Sequence, residues 1–203
     1  MFVQVILGRV GDAEGLRERW EAWAEQLGPS AEGWMGSTAG ITEGGDFVLV
    51  VRFESEAAAR RNSARTEQDA WWQETVSALD GAAEFHDSAD VTVAIGAPSD
   101  EAGFVQVMRA HVGDRARFVE IEERLAEPFH RARPDLLGAL RAWNADGTLT
   151  GVDWFSSVAE ARAGERQDMS EQLQALFGQW QEQLAETRWF DLPDPWHASP
   201  RTG

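Results

Sequence analysis

The chain has 203 residues, and its 35 acidic side chains outnumber its 18 basic ones, giving a formal charge of −17 at pH 7. A surface that binds phosphates needs clustered cations, so this balance points away from nucleic acid. All 18 basic residues are Arg, and Cys and Tyr are absent. The sequence thereby excludes lysine Schiff bases, thiolate nucleophiles, disulfides and cysteine zinc sites.

The opening MFVQVILGRVGD carries a short apolar run with no basic leader, and no later stretch approaches the roughly 18 apolar residues of a spanning helix. The expectation is a cytoplasmic protein without a membrane partner. With 10 Trp and 10 Phe in 43% hydrophobic residues, a real core is expected despite the charge.

Phe2 to Asp12 reads FVQVILGRVGD and Phe104 to Asp114 reads FVQVMRAHVGD. Extended without a gap to Arg60 and Arg162, the same offset gives 19 identities in 59 positions, including Gly36/Gly138, Gly45/Gly147, Phe53/Phe155 and Ser55/Ser157. The chain is therefore a tandem duplication. The expected division is a first repeat over 1–96, a linker over 97–103, a second repeat over 104–192 and a Pro-rich tail over 193–203 that drapes over the second repeat or frays.

In chain order, residues 2 to 7 predict a covered strand. Asp12 then caps a helix with a Leu16, Trp20, Trp23 and Leu27 stripe, matched in the second repeat by Phe118, Ile121, Leu125 and Phe129. Residues 34–41 and 47–53 predict a hairpin around Glu43-Gly44-Gly45-Asp46, with 140–144 and 149–155 as counterparts. Ser55 and Ser157 cap a long second helix, and final strands are expected at 84–95 and 188–192. The order β-α-β-β-α-β is the ferredoxin-like unit, an antiparallel sheet with both helices on one face. Phe2, Gln4 and Ile6 are assigned to the helix-free face, which would need a second sheet to cover it.

The opening FVQVI, the FESEAAA segment from Phe53 to Ala59 and the AWW at Ala70 to Trp72 resemble the dimeric α+β barrel superfamily, and within it the antibiotic biosynthesis monooxygenase-like proteins. The resemblance covers both halves. It implies an α+β fold in which two ferredoxin-like repeats pack their sheets into a pseudo-dimeric barrel, as a monomer or as a homodimer. It also implies an oxidoreductase that works without a cofactor on a planar aromatic or polyketide-type molecule: the protein removes a proton and the resulting carbanion reduces O2. A non-catalytic small-molecule binder and a haem-binding or haem-degrading protein are the alternatives.

The residues suggest where such chemistry would sit. His86 and His111 are the candidate bases, with Gln4, Asn62 and Arg52 as stabilisers of an oxyanion. Trp34, Trp72, Trp143 and Trp154 are candidate walls for a flat ligand. A haem-degrading relative would use a His near the end of the second helix with an Asn and a Trp, and the first repeat offers Asn62, Trp71 or Trp72, and His86. Gln4 and Gln106 stand at the same place in two apolar strands. Each must bond its mate across the sheets or face a ligand, because an unpaired buried amide costs on the order of 1 to 3 kcal/mol. Asp153, where the first repeat has Val51, is either a base or an edge residue. His130 is read as a surface group and His197, in the Pro-rich tail, as irrelevant to function, and no histidine spacing suggests a metal site.

Overall fold

The computed structural model describes residues 1–200. The first repeat contains β1 (Phe2–Arg9), α1 (Ala13–Gln26), β2 (Trp34–Ile41), β3 (Asp46–Phe53), α2 (Glu56–Ser63), α3 (Thr66–Val76) and β4 (Glu84–Ser88). After β5 (Asp90–Gly96) the second contains β6 (Phe104–Val112), α4 (Arg115–Ala132), β7 (Leu136–Trp143), β8 (Thr148–Phe155), α5 (Val158–Glu165), α6 (Glu171–Gln181) and β9 (Leu184–Leu192). The short β10 (Trp196–Ala198) closes the described chain. The architecture is α+β, with two five-stranded antiparallel sheets ordered β10-β2-β3-β1-β4 and β5-β7-β8-β6-β9.

Local chemistry repeats with the sequence. Asp12 and Asp114 accept the amides of Gly15 and Arg117, and Ser55 and Ser157 accept those of Ala58 and Glu160, so the same four N-caps start the same four helices. Gly45 and Gly147 take φ of 82° and 84° in the two hairpin turns, where a side chain would be strained. The expected long second helix is two shorter ones in each repeat, broken at residues 64–65 and 166–170.

The chain forms two compact units, one of residues 1–90 with the described residues after 193, and one of residues 91–193. The single strand expected over 84–95 divides at Ala89: β4 joins the first sheet beside β1, and β5 joins the second beside β7. The tail likewise does not lie on the second repeat, because Trp196, His197 and Ala198 pair with Ala39, Thr38 and Ser37 of β2. Glycine makes room for both added strands. A Cβ at Gly138 would collide with the Ala97 carbonyl oxygen just beyond β5, and one at Gly36 would stand 3.1 Å from the Ala198 oxygen of β10. The identity of these two glycines in the repeats thus has a steric cause.

Strand faces differ from the sequence-based assignment. Phe2 and Ile6 pack with Leu16, Trp20 and Trp23 in the helix-side core, which puts Gln4 under the helices as well. Val3, Val5 and Leu7 occupy the other face of β1 and are buried. Both faces of the strand are apolar, so alternation alone could not tell them apart. In the second unit Met108, Ala110 and Val112 take the helix side with Phe118, Ile121 and Leu125.

β10 matters out of proportion to its length. Trp196 is buried in the first unit's core, 6.0 Å from the Trp20 ring and 6.4 Å from Phe47, and Arg17 lies over it while bonding Asp194. Trp196→Ala is therefore expected to lower stability by about 3 to 5 kcal/mol, measured as a shift in urea midpoint at unchanged slope. A loss below 1 kcal/mol would show that the tail strand is ornamental.

Candidate functional site

Each unit holds a cavity between the helix face of its sheet and the helices above. The first, about 220 Å3, is floored by Gln4 and Ile6 of β1, Ser37 of β2 and Leu49, Val51 and Phe53 of β3. Trp20 and Trp23 of α1, Asn62 of α2, Gln68, Asp69, Trp71 and Trp72 of α3 and Phe85 of β4 wall it. An aromatic chain runs from core to rim, with successive ring separations of 5.1 Å for Trp34–Trp23, 6.1 Å for Trp23–Trp71, 6.0 Å for Trp71–Trp72 and 5.2 Å for Trp72–Phe85.

Most of these indoles are held by their own N–H groups. Trp23 donates to Gln68 Oε1 at 2.6 Å, Trp34 to Ser37 Oγ at 2.9 Å and Trp71 to the Arg19 carbonyl at 2.8 Å. Trp20 differs. It is 8% exposed, it lines the cavity, and its Nε1 has no hydrogen-bond partner among the described residues. Asn62, also buried, accepts from Arg65 through Oδ1 at 3.0 Å, a contact that orients the amide at the cavity wall. Asp69 is the one carboxylate among the lining residues.

The second cavity, about 170 Å3, keeps one side-chain clamp of the first and differs in its interior. Both units carry a glutamine–aspartate clamp. Gln4 Nε2 donates to Asp87 Oδ1 at 2.9 Å and Gln106 Nε2 to Asp191 Oδ1 at 2.8 Å, each across the register that pairs the two residues. The glutamines therefore bond an edge-strand carboxylate rather than each other. Beside each clamp stands an exposed aromatic, Phe85 opposite Ile6 and Trp189 opposite Met108.

The cavity surroundings diverge at four matched positions. Where the first repeat has Trp20, Ala39, Leu49 and Val51, the second has Glu122, Arg141, Gly151 and Asp153. Ala39 pairs across strands with Leu49, and Arg141 with Gly151, so the small and large residues have exchanged sides of one cross-strand pair. The exchange is steric, because a Cβ on Gly151 would come within 3.2 Å of Arg141 Nη1. The Arg141 guanidinium is 7% exposed and donates through Nε to Glu122 at 2.6 Å and through Nη1 to Asp153 at 2.7 Å and the Leu140 carbonyl at 3.0 Å. Burial pulls its pKa down, but the fields and hydrogen bonds of Asp153 and Glu122 outweigh that and raise it, so the group stays charged at any working pH. Over this cluster lie stacked rings, Phe129 on Phe177 at 5.5 Å and Phe177 on Trp180 at 5.7 Å.

Of the residues singled out in the sequence, Gln4, Asn62 and Trp72 meet in the first cavity and Gln106 lines the second. His86 lies directly opposite Val5, on the face of the sheet away from the cavity, with Nε2 3.4 Å from Glu84. His111 is exposed beside the Gly147 turn, on the face opposite Met108 and Ala110. Arg52 is buried on the Val48 and Val50 face and packs over Gly36. Trp34 and Trp143 are core residues, and Trp154 is fully buried on the Val105 face. Asp153, read in sequence as a base or an edge residue, is an ion-pair partner of Arg141.

Neither of these cavities is lined by His, Met, Cys or Tyr, the side chains that supply an axial ligand to haem iron, so the residues present do not fit that group. Glu122 and Arg141 escaped the sequence reading. Glu122 sits within a run of helix carboxylates, and the usable signal was the exchange of Ala39 and Leu49 for Arg and Gly at one cross-strand pair.

No family model matches the chain, and no curated protein matches it by sequence. Solved structures do match its fold. A candidate monooxygenase of Fusobacterium nucleatum superposes with a TM-score of 0.79 at 11% identity, over 98% of this chain and 94% of that one. A second candidate monooxygenase, from Lactobacillus acidophilus, gives 0.70 at 12%, covering 98% and 96%. An anthrone oxidase-like protein gives 0.69 at 13%, covering 99% and 94%. The likeness is one of fold and extends over both repeats.

Breaking the buried ion cluster has a sharp expected outcome. Arg141→Met strands two carboxylates and should cost about 3 to 5 kcal/mol of unfolding free energy. Grafting the first repeat's set, Glu122→Trp, Arg141→Ala, Gly151→Leu and Asp153→Val together, should recover most of that loss, measured by urea denaturation. A graft less stable than Arg141→Met would contradict the equivalence of the two floors.

Proposed function

We propose that the first unit binds a planar aromatic ketone or phenol in its tryptophan-walled cavity and oxygenates it without a cofactor. The observation that carries this reading is the cavity itself, an aromatic run from Trp23 to Phe85 with a few polar groups placed among the rings. Such lining suits a flat apolar molecule held at one polar edge. A cavity of about 150 Å3 accepts benzene, so this one admits at least a single ring. The fold neighbours include an anthrone oxidase-like protein, which favours a fused-ring ketone with an activated methylene.

The chain's own groups divide the work. Asp69 takes the proton from the ring methylene, in the place the sequence reading gave to His86 or His111. The Asn62 amide holds the developing enolate oxygen, while the indole walls exclude water. The carbanion then passes electrons to O2, and the methylene becomes a carbonyl with release of water. Methylene and O2 give carbonyl and water, so no external reductant enters.

The test is oxygen uptake with anthrone as substrate, alongside binding followed by calorimetry. Asp69→Asn should lower kcat by 10²-fold or more and leave binding within about threefold. Trp72→Ala should weaken binding, and His86→Ala and His111→Ala should change neither quantity. Binding without oxygen uptake in the wild type would leave a small-molecule binder, and full activity in Asp69→Asn would remove the proposed base.

A further inference from the structure

Asn62 stands in the wall of the first cavity with one end of its amide already committed. Its Oδ1 accepts from Arg65 Nη1 at 3.0 Å, while its Nδ2 makes no hydrogen bond among the described residues. The side chain is 6% exposed, and Nδ2, unlike the sealed Trp20 Nε1, keeps accessible surface in a residue that lines the cavity. Arg65 decides which end of the amide is committed. It sits at the break between α2 and α3, and every nitrogen of its guanidinium is bonded. Nη1 also reaches the Leu27 carbonyl at 3.4 Å, Nη2 the Ser30 hydroxyl at 2.8 Å and Glu67 at 3.1 Å, and Nε reaches Glu67 at 3.2 Å. A guanidinium has donors and no acceptor, so an Asn62 amide turned end over end would set its NH2 against them. The held cation therefore permits one orientation. Its ion pair with Glu67 offsets its charge, so its influence on a ligand passes through the amide it aims rather than through its field.

The second repeat lacks this arrangement. Its matched positions are Gly164 and Gln167. A Cβ on Gly164 would collide with Arg133 Nε, and that guanidinium is taken by Asp135 at 2.9 and 2.7 Å and by the Ala161 carbonyl at 3.2 Å. No amide can stand at that place in the second cavity.

We infer that Arg65 is a positioning residue of the first cavity, one that holds the Asn62 amide with its NH2 toward the ligand and so favours molecules presenting a carbonyl oxygen or an oxyanion there. This rests on the reading of the first cavity as a ligand site, and not on oxygenation within it.

The experiment titrates 2-naphthol bound to the full chain, with ionisation of its hydroxyl read in the phenolate absorption band. The chain has no Tyr and no Lys, so that band belongs to the probe and neither side chain titrates with it. A donor at the oxygen favours the ionised form and lowers the midpoint. Asp69, the carboxylate of the same wall, is present in every variant and cancels from the comparison. Asn62→Ala should disfavour the ionised form about tenfold, and Arg65→Met at least about threefold, each seen as a higher midpoint. The double variant should stay within about 1.5-fold of Asn62→Ala alone, because Arg65 acts through the amide. Urea midpoints of the same variants record the structural cost separately. In 15N-labelled wild type the Asn62 NH2, identified by its loss in Asn62→Ala, should show Overhauser contacts to the bound naphthol ring, a measurement that does not depend on Arg65→Met folding. Effects that multiply in the double variant would make Arg65 a structural group and overturn its positioning role. An Asn62 NH2 without contacts to the ring at saturation, a midpoint that ignores Asn62→Ala, or no saturable binding of 2-naphthol would overturn the inference. Anthrone left unoxidised while these effects hold would remove the oxygenase reading and leave Arg65 in its role.

Discussion

A guanidinium placed under a helix layer must be met by carboxylates, because an isolated charge there would cost several kcal/mol in lost hydration. In the second repeat this requirement ties together α4, β7 and β8. Arg141 fixes Glu122 and Asp153, and Gly151 has no side chain because that space belongs to the guanidinium. The first repeat meets the same geometry with Trp20, Ala39, Leu49 and Val51. One backbone therefore supports a neutral cavity and an ionic one, and the choice is made at four positions linked by packing.

What the repeats hold in common is equally constrained. Gln4 and Gln106 lie under the helices, where an amide needs a partner, and the register of each edge strand delivers Asp87 or Asp191 to that spot. Gly36 and Gly138 stay glycine because a further strand runs alongside. The strands that fill these slots come from segments following the other repeat or joining the two, so each sheet depends on chain that a simple division into halves would assign elsewhere.

Much of this was legible in the sequence. The offset between Phe2 and Phe104, the Asp and Ser caps and the apolar stripes on α1 and α4 fixed the duplicated α+β unit. The face of Gln4 was not legible, because β1 is apolar on both sides and a period of two carries no sign. Nor was the cavity role of His86: a residue in a strand is turned toward or away from a site by register alone, and register with β1 sets it opposite Val5. Trp196 was hidden for another reason. Three residues in a proline-containing tail have no periodicity, yet they complete a sheet by pairing with β2. Nothing in the sequence around Arg141 marks it as buried, and only its cross-strand pairing with Gly151 shows the space it fills.

The central claim is that the first cavity is built for a flat aromatic ring with one polar edge. A crystal structure of the protein soaked with anthrone under anaerobic conditions tests it directly. The account predicts the ring against Trp72 with its oxygen within hydrogen-bond distance of Asn62. Anthrone absent from this cavity at saturating concentration, or seated with its oxygen toward Phe85 and solvent, would contradict it.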